Sequence, residues 1–430
     1  MEQSFVLKGN ICYSKTKDQL EIVPDGYVIC EKGVCKGVFE FLPEPYANYK
    51  VIDYKNQLII PGLIDLHIHA PQYSYRALGM DLELLDWLEK NTFPEESKFI
   101  DLDYAKKSYS FFLKDLIKGA TTRASVFATL HRPATELLMD MFESSGLKAF
   151  VGKVNMDRNC PNFLTEENAE TASVTTMLWI ENTMHKYKNV FPILTPRFIP
   201  TCSDELMRKL SAIQKSYHLP LQSHLSENLS EIEFVKKLCP NSKYYGDAYD
   251  QFGLFGGDYP TIMAHCVHSD EEEIELLKNR GVFVAHCPSS NTNISSGIAP
   301  VRTYLDKGIP VGLGSDIAGG FSTSIFRAMS DAIQVSKLRW RLVDDSLKPL
   351  SMEEAFYLGT KGGGAFFGKV GSFEEGYEFD AVILDDSNLP SPLEFSVKER
   401  LERLIYLSDE RNIKGKYVGG IAINLDFTLI

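Results

Sequence analysis

Nothing in the 430-residue chain approaches eighteen consecutive apolar residues, so no membrane-spanning helix is expected. The eight cysteines, at Cys12, Cys30, Cys35, Cys160, Cys202, Cys239, Cys266 and Cys287, never fall in C-x-x-C spacing. That argues against a zinc ribbon, a thioredoxin-like redox motif and the class of zinc deaminases that uses P-C-x-x-C ligands. A Walker A motif, a G-x-G-x-x-G turn opening a helix after a strand, and a G-x-S-x-G nucleophile elbow are also missing. Positive charge is in deficit, with a formal net charge of −13. Such a field repels phosphate backbones and argues against a nucleic-acid partner, while a neutral free base remains allowed. Met1-Glu2-Gln3-Ser4 carries an acid and lacks a basic region followed by an apolar run. The expectation is therefore a cytoplasmic protein with reduced thiols.

What is present is an ordinary globular balance, 44% hydrophobic and 24% charged. Residues 1–60 hold short β-like runs such as Tyr27-Val28-Ile29-Cys30, broken by Gly and Asn. After the turn at Pro61-Gly62 the pattern changes to short apolar runs alternating with helical stretches. Candidate strands are 63–69, 121–127, 148–154, 192–199, 219–224, 261–266, 282–287 and 310–315. One unit shows the logic. Ile262-Met263-Ala264-His265 reads as a buried strand, Ser269 or Asp270 caps the helix that follows, and Gly281 ends it before Val282 starts the next strand. Eight such units predict a (β/α)8 barrel over 61–368. Residues 369–430 return to strands such as 379–385. Both ends, 1–60 and 369–430, are expected to pair into one small β-sheet domain.

Histidines and one aspartate gather at the C-terminal ends of these strands, where barrel active sites are built. His67 and His69 end the first, His224 the fifth, His265 the sixth and His286 the seventh, and Asp316 follows the eighth. Alternate residues of a strand share a face, so His67 and His69 project side by side into the barrel mouth. With His224 and Asp316 they make three nitrogens and one carboxylate oxygen, a set that suits one Zn²⁺ per chain, or Fe²⁺. Glu227, three residues past a candidate ligand, is placed to move a proton between a metal-activated water and a leaving group. His265 is a further ligand or a stabiliser of charge on the attacked ring. His286 is expected to line the pocket and His268 to play a supporting or structural part. His131, His185 and His218 read as surface residues. Lys153, on the third strand, reads as a structural or hydrogen-bonding lysine rather than a bridge between two metals.

Pro61-Gly62-Leu63-Ile64-Asp65-Leu66-His67-Ile68-His69 resembles the opening metal motif of the amidohydrolase superfamily. His69-Ala70-Pro71-Gln72-Tyr73, Leu85-Asp86-Trp87-Leu88, Thr92-Phe93-Pro94-Glu95 and Thr195-Pro196-Arg197-Phe198-Ile199-Pro200-Thr201-Cys202 are similar to its guanine deaminase family in particular. The resemblance implies zinc held by His67, His69, His224 and Asp316, with Glu227 as proton shuttle. It implies that His265 is catalytic beside the metal and that Asp316 helps accept the proton of the attacking water. Gln72, Arg197 and Phe198 would hold a purine, and a homodimer is implied as the assembly. The implied activity is hydrolytic deamination of guanine to xanthine and ammonia. Arg197 can only donate hydrogen bonds. It would favour the C6 carbonyl of guanine over the C6 amino group of adenine. A relative acting on 8-oxoguanine, cytosine or a triazine would share the metal set. A non-catalytic barrel scaffold is the reading from a different class.

Overall fold

The computed structural model describes residues 4–427. Met1 to Gln3, on which the expectation about a leader segment partly rests, lie outside the described residues.

The N-terminal runs form four strands: β1 (Phe5–Thr16), β2 (Gln19–Glu31), β3 (Val34–Phe39) and β4 (Lys50–Pro61). Lys32 and Gly33 make the β2–β3 turn with φ of 50° and 78°, the pair of positive values a two-residue hairpin requires. β4 runs parallel to β1, and its last residues lead straight into the barrel.

The barrel strands are β5 (Leu63–His69), β6 (Thr121–Phe127), β7 (Lys148–Gly152) with β8 (Val154–Asn155), and β9 (Val190–Pro192) with β10 (Thr195–Pro196). They continue with β11 (Leu221–Leu225), β12 (Thr261–His265), β13 (Phe283–His286) and β14 (Val311–Leu313). They pair in parallel as two arcs, β5-β6-β7-β9 and β11-β12-β13-β14. A bridge from Leu194 to Leu221 joins the arcs on one side. On the other, Asp316 N–H donates to His67 O at 2.8 Å and His69 N–H to Ile317 O at 3.2 Å. The result is a closed but distorted (β/α)8 barrel. The expected runs 63–69 and 121–127 are met residue for residue, whereas the third and fourth are each split in two. Pro192 and Pro196 have no N–H to give a ladder, which keeps the fourth strand short.

Helices cover the barrel, and their ends follow local chemistry. In the helix Glu271–Arg280 the Asp270 side chain accepts from Glu273 N–H, and Gly281 closes it at φ 64°. The interior is filled by Ile64, Leu66, Ile193, Ile262, Ala264 and Ala285 against Phe366 and Val370. Packing beneath the strand ends holds the rim rigid.

Three C-terminal strands, β15 (Ala381–Leu384), β16 (Ile413–Val418) and β17 (Ile421–Ala422), complete a seven-stranded sheet in the order β17-β16-β15-β4-β1-β2-β3. The C-terminal segment is not wholly β-rich: a helix, Val397–Leu407, interrupts it, opened by a reciprocal Ser396–Glu399 capping box. The sheet is tied to the barrel by buried charges. Arg123 of β6 donates to Asp380 at 2.6 Å and to Glu378 at 2.8 Å. Lys416 is fully buried, and its Nζ donates to Leu116 O at 2.7 Å and Thr121 O at 2.9 Å.

Burial pushes the Lys416 amine down to about 7. A neutral amine still has two N–H groups, enough for both carbonyls. The unfolded chain, with an ordinary lysine near ~10.4, then binds one more proton than the folded chain between the two values. Stability therefore rises with pH across that window and is flat below about 7. In urea unfolding between about pH 7.5 and 9.5, the wild-type chain is expected to gain on Lys416→Met by about 1.4 kcal/mol per pH unit. Parallel pH profiles would mean that the amine stays charged in the folded chain.

Candidate active site

β5 brings His67 and His69 to the C-terminal mouth of the barrel. Asp65, on the same strand, accepts from His67 N–H at 3.1 Å. It also accepts from the Ser315 N–H at 3.1 Å and the Ser315 hydroxyl at 2.5 Å. One buried carboxyl thus ties His67 to the residue preceding Asp316, and burial raises it to about 7. The two strands must approach closely here. A Cβ on Gly314 would lie 2.9 Å from His67 Cβ and 2.7 Å from Cys287 Sγ, which glycine alone avoids.

The donor atoms converge. His67 Nε2 lies 3.2 Å from His69 Nε2, which lies 3.3 Å from His224 Nε2. Asp316 Oδ1 stands 3.2 Å from His67 Nε2 and 3.4 Å from His69 Nε2. Ligands bound at ~2.0–2.1 Å in a tetrahedron sit about 3.3–3.4 Å from one another, so these separations fit a single zinc-type cation. His224 Nδ1 donates to Arg197 O at 2.6 Å, leaving the Nε2 lone pair to face the other donors. Burial, followed by the neighbouring imidazoles, holds His69 and His224 well below the usual histidine range. For Asp316 burial works upward, but His67, His265 and His69 outweigh it and hold the carboxyl well below the ordinary range. Neutral imidazoles and an ionised carboxylate are the forms that bind metal.

Glu227 and His265 flank this set. His265 Nε2 is 3.4 Å from Glu227 Oε2 and 3.7 Å from Asp316 Oδ2, while its Nδ1 meets Asn291 Oδ1 at 2.8 Å. Burial takes His265 down to about 4. Glu227 accepts from the Ser296 hydroxyl at 3.3 Å. Burial, then the Glu231 and Asp316 carboxylates, push it well above the usual range, a tuning suited to a group that takes and returns a proton. Ser226, His265, Cys266 and Asp316 all have positive φ, between 45° and 74°. Non-glycine residues rarely adopt that conformation, and its clustering at the rim marks a functional site.

A pocket opens beside these groups. His69, His224, Glu227, His265 and Asp316 line it together with Gln72, Arg197 and Phe198. Leu84, Trp87, Leu88 and Ile294 supply apolar walls. His67 sits deeper, fully buried. Gln72 follows β5 in a 3₁₀ turn, and its Oε1 accepts from Ala318 N–H at 3.0 Å. Arg197 follows β10 and pairs with Glu96 at 2.6 Å. Burial lowers the guanidinium's affinity for its proton, but Glu96 reverses this and holds it above the ordinary value.

Some expectations landed elsewhere. His286 is buried but turned away, lining a separate cavity with Arg302, Arg339 and Trp340. His224 is the penultimate residue of β11, and Phe198 lies beyond β10 rather than on a strand. His131 is half-buried at the start of the helix Arg132–Ser145, whereas His185 and His218 are exposed. His268 Nε2 meets Ser296 O at 2.6 Å. The Lys153 amine is buried against Glu166 Oε1 at 2.5 Å. Asp65, Trp87 and Leu88 stand inside the motifs quoted above without a role of their own, and Asn291, Glu96, Leu84 and Ile294 carry no signal in the sequence. Asp65 had a signal, standing two residues before His67 on the same strand face.

The amidohydrolase family model matches residues 58–422, most of the chain. The chain belongs to the amidohydrolase family. Among amidohydrolases, it is 38% identical to the guanine deaminase of Dictyostelium discoideum over 96% of this chain and 97% of that one. The crystal structure of guanine deaminase from C. acetobutylicum with guanine bound in its active site is similar at 51% identity and a TM-score of 0.96. That match covers 98% of this chain and 100% of that one. The E. coli guanine deaminase structure matches at 31% identity and a TM-score of 0.89, covering 98% and 99%.

Removing one imidazole should break the cation site without unfolding the barrel. His69→Ala is expected to bring bound zinc, measured by elemental analysis, from about one per chain to near zero. Its circular dichroism should stay unchanged. Full metal content in that variant would take His69 out of the ligand set.

Proposed function

We propose that the chain hydrolyses guanine to xanthine and ammonia, with His67, His69, His224 and Asp316 as metal ligands. The observation that carries it is one pocket lined both by members of a zinc-type donor cluster and by a buried guanidinium–amide pair, Arg197 and Gln72. A cation in that cluster supplies Lewis acidity and brings the pKa of a water toward ~7.

The chain's own groups do the rest. Arg197 donates to the C6 carbonyl, Gln72 bonds the edge of the base and the Phe198 ring packs against it. That pose presents C2 and its amino group to the metal end. Glu227 takes a proton from the attacking water and delivers it to the exocyclic nitrogen, which leaves as ammonia. Asp316 helps accept the proton of the attacking water, and His265 steadies the charge that develops on the ring. Adenine would set an amino group against Arg197, leaving donors facing donors in a buried site. The apolar walls from Leu84, Trp87 and Leu88 exclude water from the reacting face.

No helix among the described residues is long and apolar enough to cross a membrane. The proposal further takes the chain to be a cytoplasmic homodimer acting on the free base and not on nucleic acid. It divides the chain into a barrel, 61–368, and a small domain built from 1–60 and 369–430.

Ammonia release should be seen with guanine and be at least about a hundredfold slower with adenine, cytosine or a triazine. A triazine or cytosine as the better substrate would move the chain to another branch of the family. Glu227→Gln should keep its metal and lose turnover by about 10²-fold or more, and full activity would remove Glu227 from proton transfer. Arg197→Ala should lower kcat/KM for guanine by at least about tenfold, and an unchanged value would place Arg197 outside the pocket.

A further inference from the structure

The segment Thr92-Phe93-Pro94-Glu95-Glu96 has no part in the chemistry described so far, yet it reaches the base end of the pocket. Thr92 Oγ1 bonds the Tyr75 hydroxyl at 2.7 Å, fixing the start of a helical turn, Phe93–Glu96. Glu96 is 2% exposed. Its Oε2 accepts from Arg197 Nη1 at 2.6 Å, and its Oε1 from Arg197 Nη2 at 3.1 Å. The same Oε1 accepts from Gln72 Nε2 at 2.9 Å. The Phe93 ring centre lies 5.3 Å from the guanidinium carbon, close enough for a cation–π contact. Gln72 is pinned at both ends, because its Oε1 takes the Ala318 N–H.

We propose that Glu96 is a positioning residue that sets base specificity: it locks Arg197 and Gln72 into one fixed array of donors aimed at the 6-oxo edge of a purine. This rests on reading the pocket as the base site. A carboxylate gripping a guanidinium through two oxygens fixes its plane as well as its position. Two of the five guanidinium N–H donors are spent on Glu96, and the others keep a set direction. The paired charge also leaves Arg197 matched to a neutral carbonyl rather than to an anion. Without Glu96, a buried arginine would be free to turn and would lose the preorganisation on which discrimination depends.

Calorimetric binding of two unreactive bases to the metal-loaded protein isolates this role. Hypoxanthine carries the 6-oxo group and no 2-amino group, and purine carries neither. The wild-type protein should prefer hypoxanthine by about tenfold or more. Glu96→Gln should shrink that preference at least about fivefold, while purine affinity changes less than about twofold. On an Arg197→Ala background, adding Glu96→Gln should change the preference by less than about twofold, because the two residues act as a unit. Where Glu96→Gln does not give folded, metal-loaded protein, Glu96→Asp keeps the charge, withdraws its reach and carries the same comparison. Equal weakening for both bases, or independent losses in the double variant, overturns the positioning role alone. A wild-type protein with no preference for hypoxanthine overturns the base-pocket reading and the positioning role with it.

Discussion

The structure turns on the approach of three imidazole nitrogens and one carboxylate oxygen, with neighbouring donors 3.2 to 3.4 Å apart in a largely buried site. Lone pairs facing one another at that range repel strongly where the dielectric is low. Protons could relieve the repulsion, but burial holds the His69 and His224 rings well below the usual histidine range. A cation is the remaining way to satisfy four such groups at once. The chain accepts strained backbone at Ser226, His265, Cys266 and Asp316 to bring those groups together, and the packed barrel beneath keeps the strain from relaxing.

Several of the site's groups are in turn held by others. Asp65 holds His67 and Ser315. The Arg197 carbonyl orients His224, Asn291 orients His265, and Glu96 orients Arg197 and Gln72. Arg197 serves two roles, since its backbone oxygen orients a candidate ligand while its side chain lines the pocket. A shift of that residue would therefore disturb both.

Where side chains are buried by strand periodicity, the sequence was legible. β5 and β6 were read to the residue, because each is a continuous buried run bounded by turn chemistry. The candidate donors His67 and His69 follow the same way, since i and i+2 on a strand share a face. Legibility failed where tertiary contact overrides local pattern. The third strand breaks at Lys153, whose amine turns to Glu166, and no local signal announces a partner thirteen residues away. His286 stands level with His265, one place beyond the Ala264–Ala285 pair, yet faces a different cavity, because His265, at φ 74°, leaves the strand conformation that His286 keeps. The helix Val397–Leu407 carried a capping box in plain view and was passed over in a segment read as strands and turns. Glu96 was the hardest case. An acid in the first turn of a short helix reads as a solvated, dipole-matched residue, and its bond to Arg197 spans 101 positions.

The division of labour between strands and loops explains why the metal site and the substrate are legible to different degrees. The candidate metal donors from β5 and β11, with Asp316 just past β14, sit on or beside strands of a closed barrel, where position is fixed by the ladder itself. Gln72, Arg197, Phe198 and Glu96 lie on turns after β5 and β10 and on a single helical turn. Turns can be rebuilt without disturbing the barrel, so one metal cluster can serve many heterocycles while the turns choose among them. A turn has no ladder to hold it, and the buried Glu96–Arg197 pair supplies what the ladder lacks. Such a pair contributes little net stability, because desolvation cancels most of its attraction, but it tolerates only one geometry. Geometry, rather than stability, is what discrimination between a carbonyl and an amino group requires.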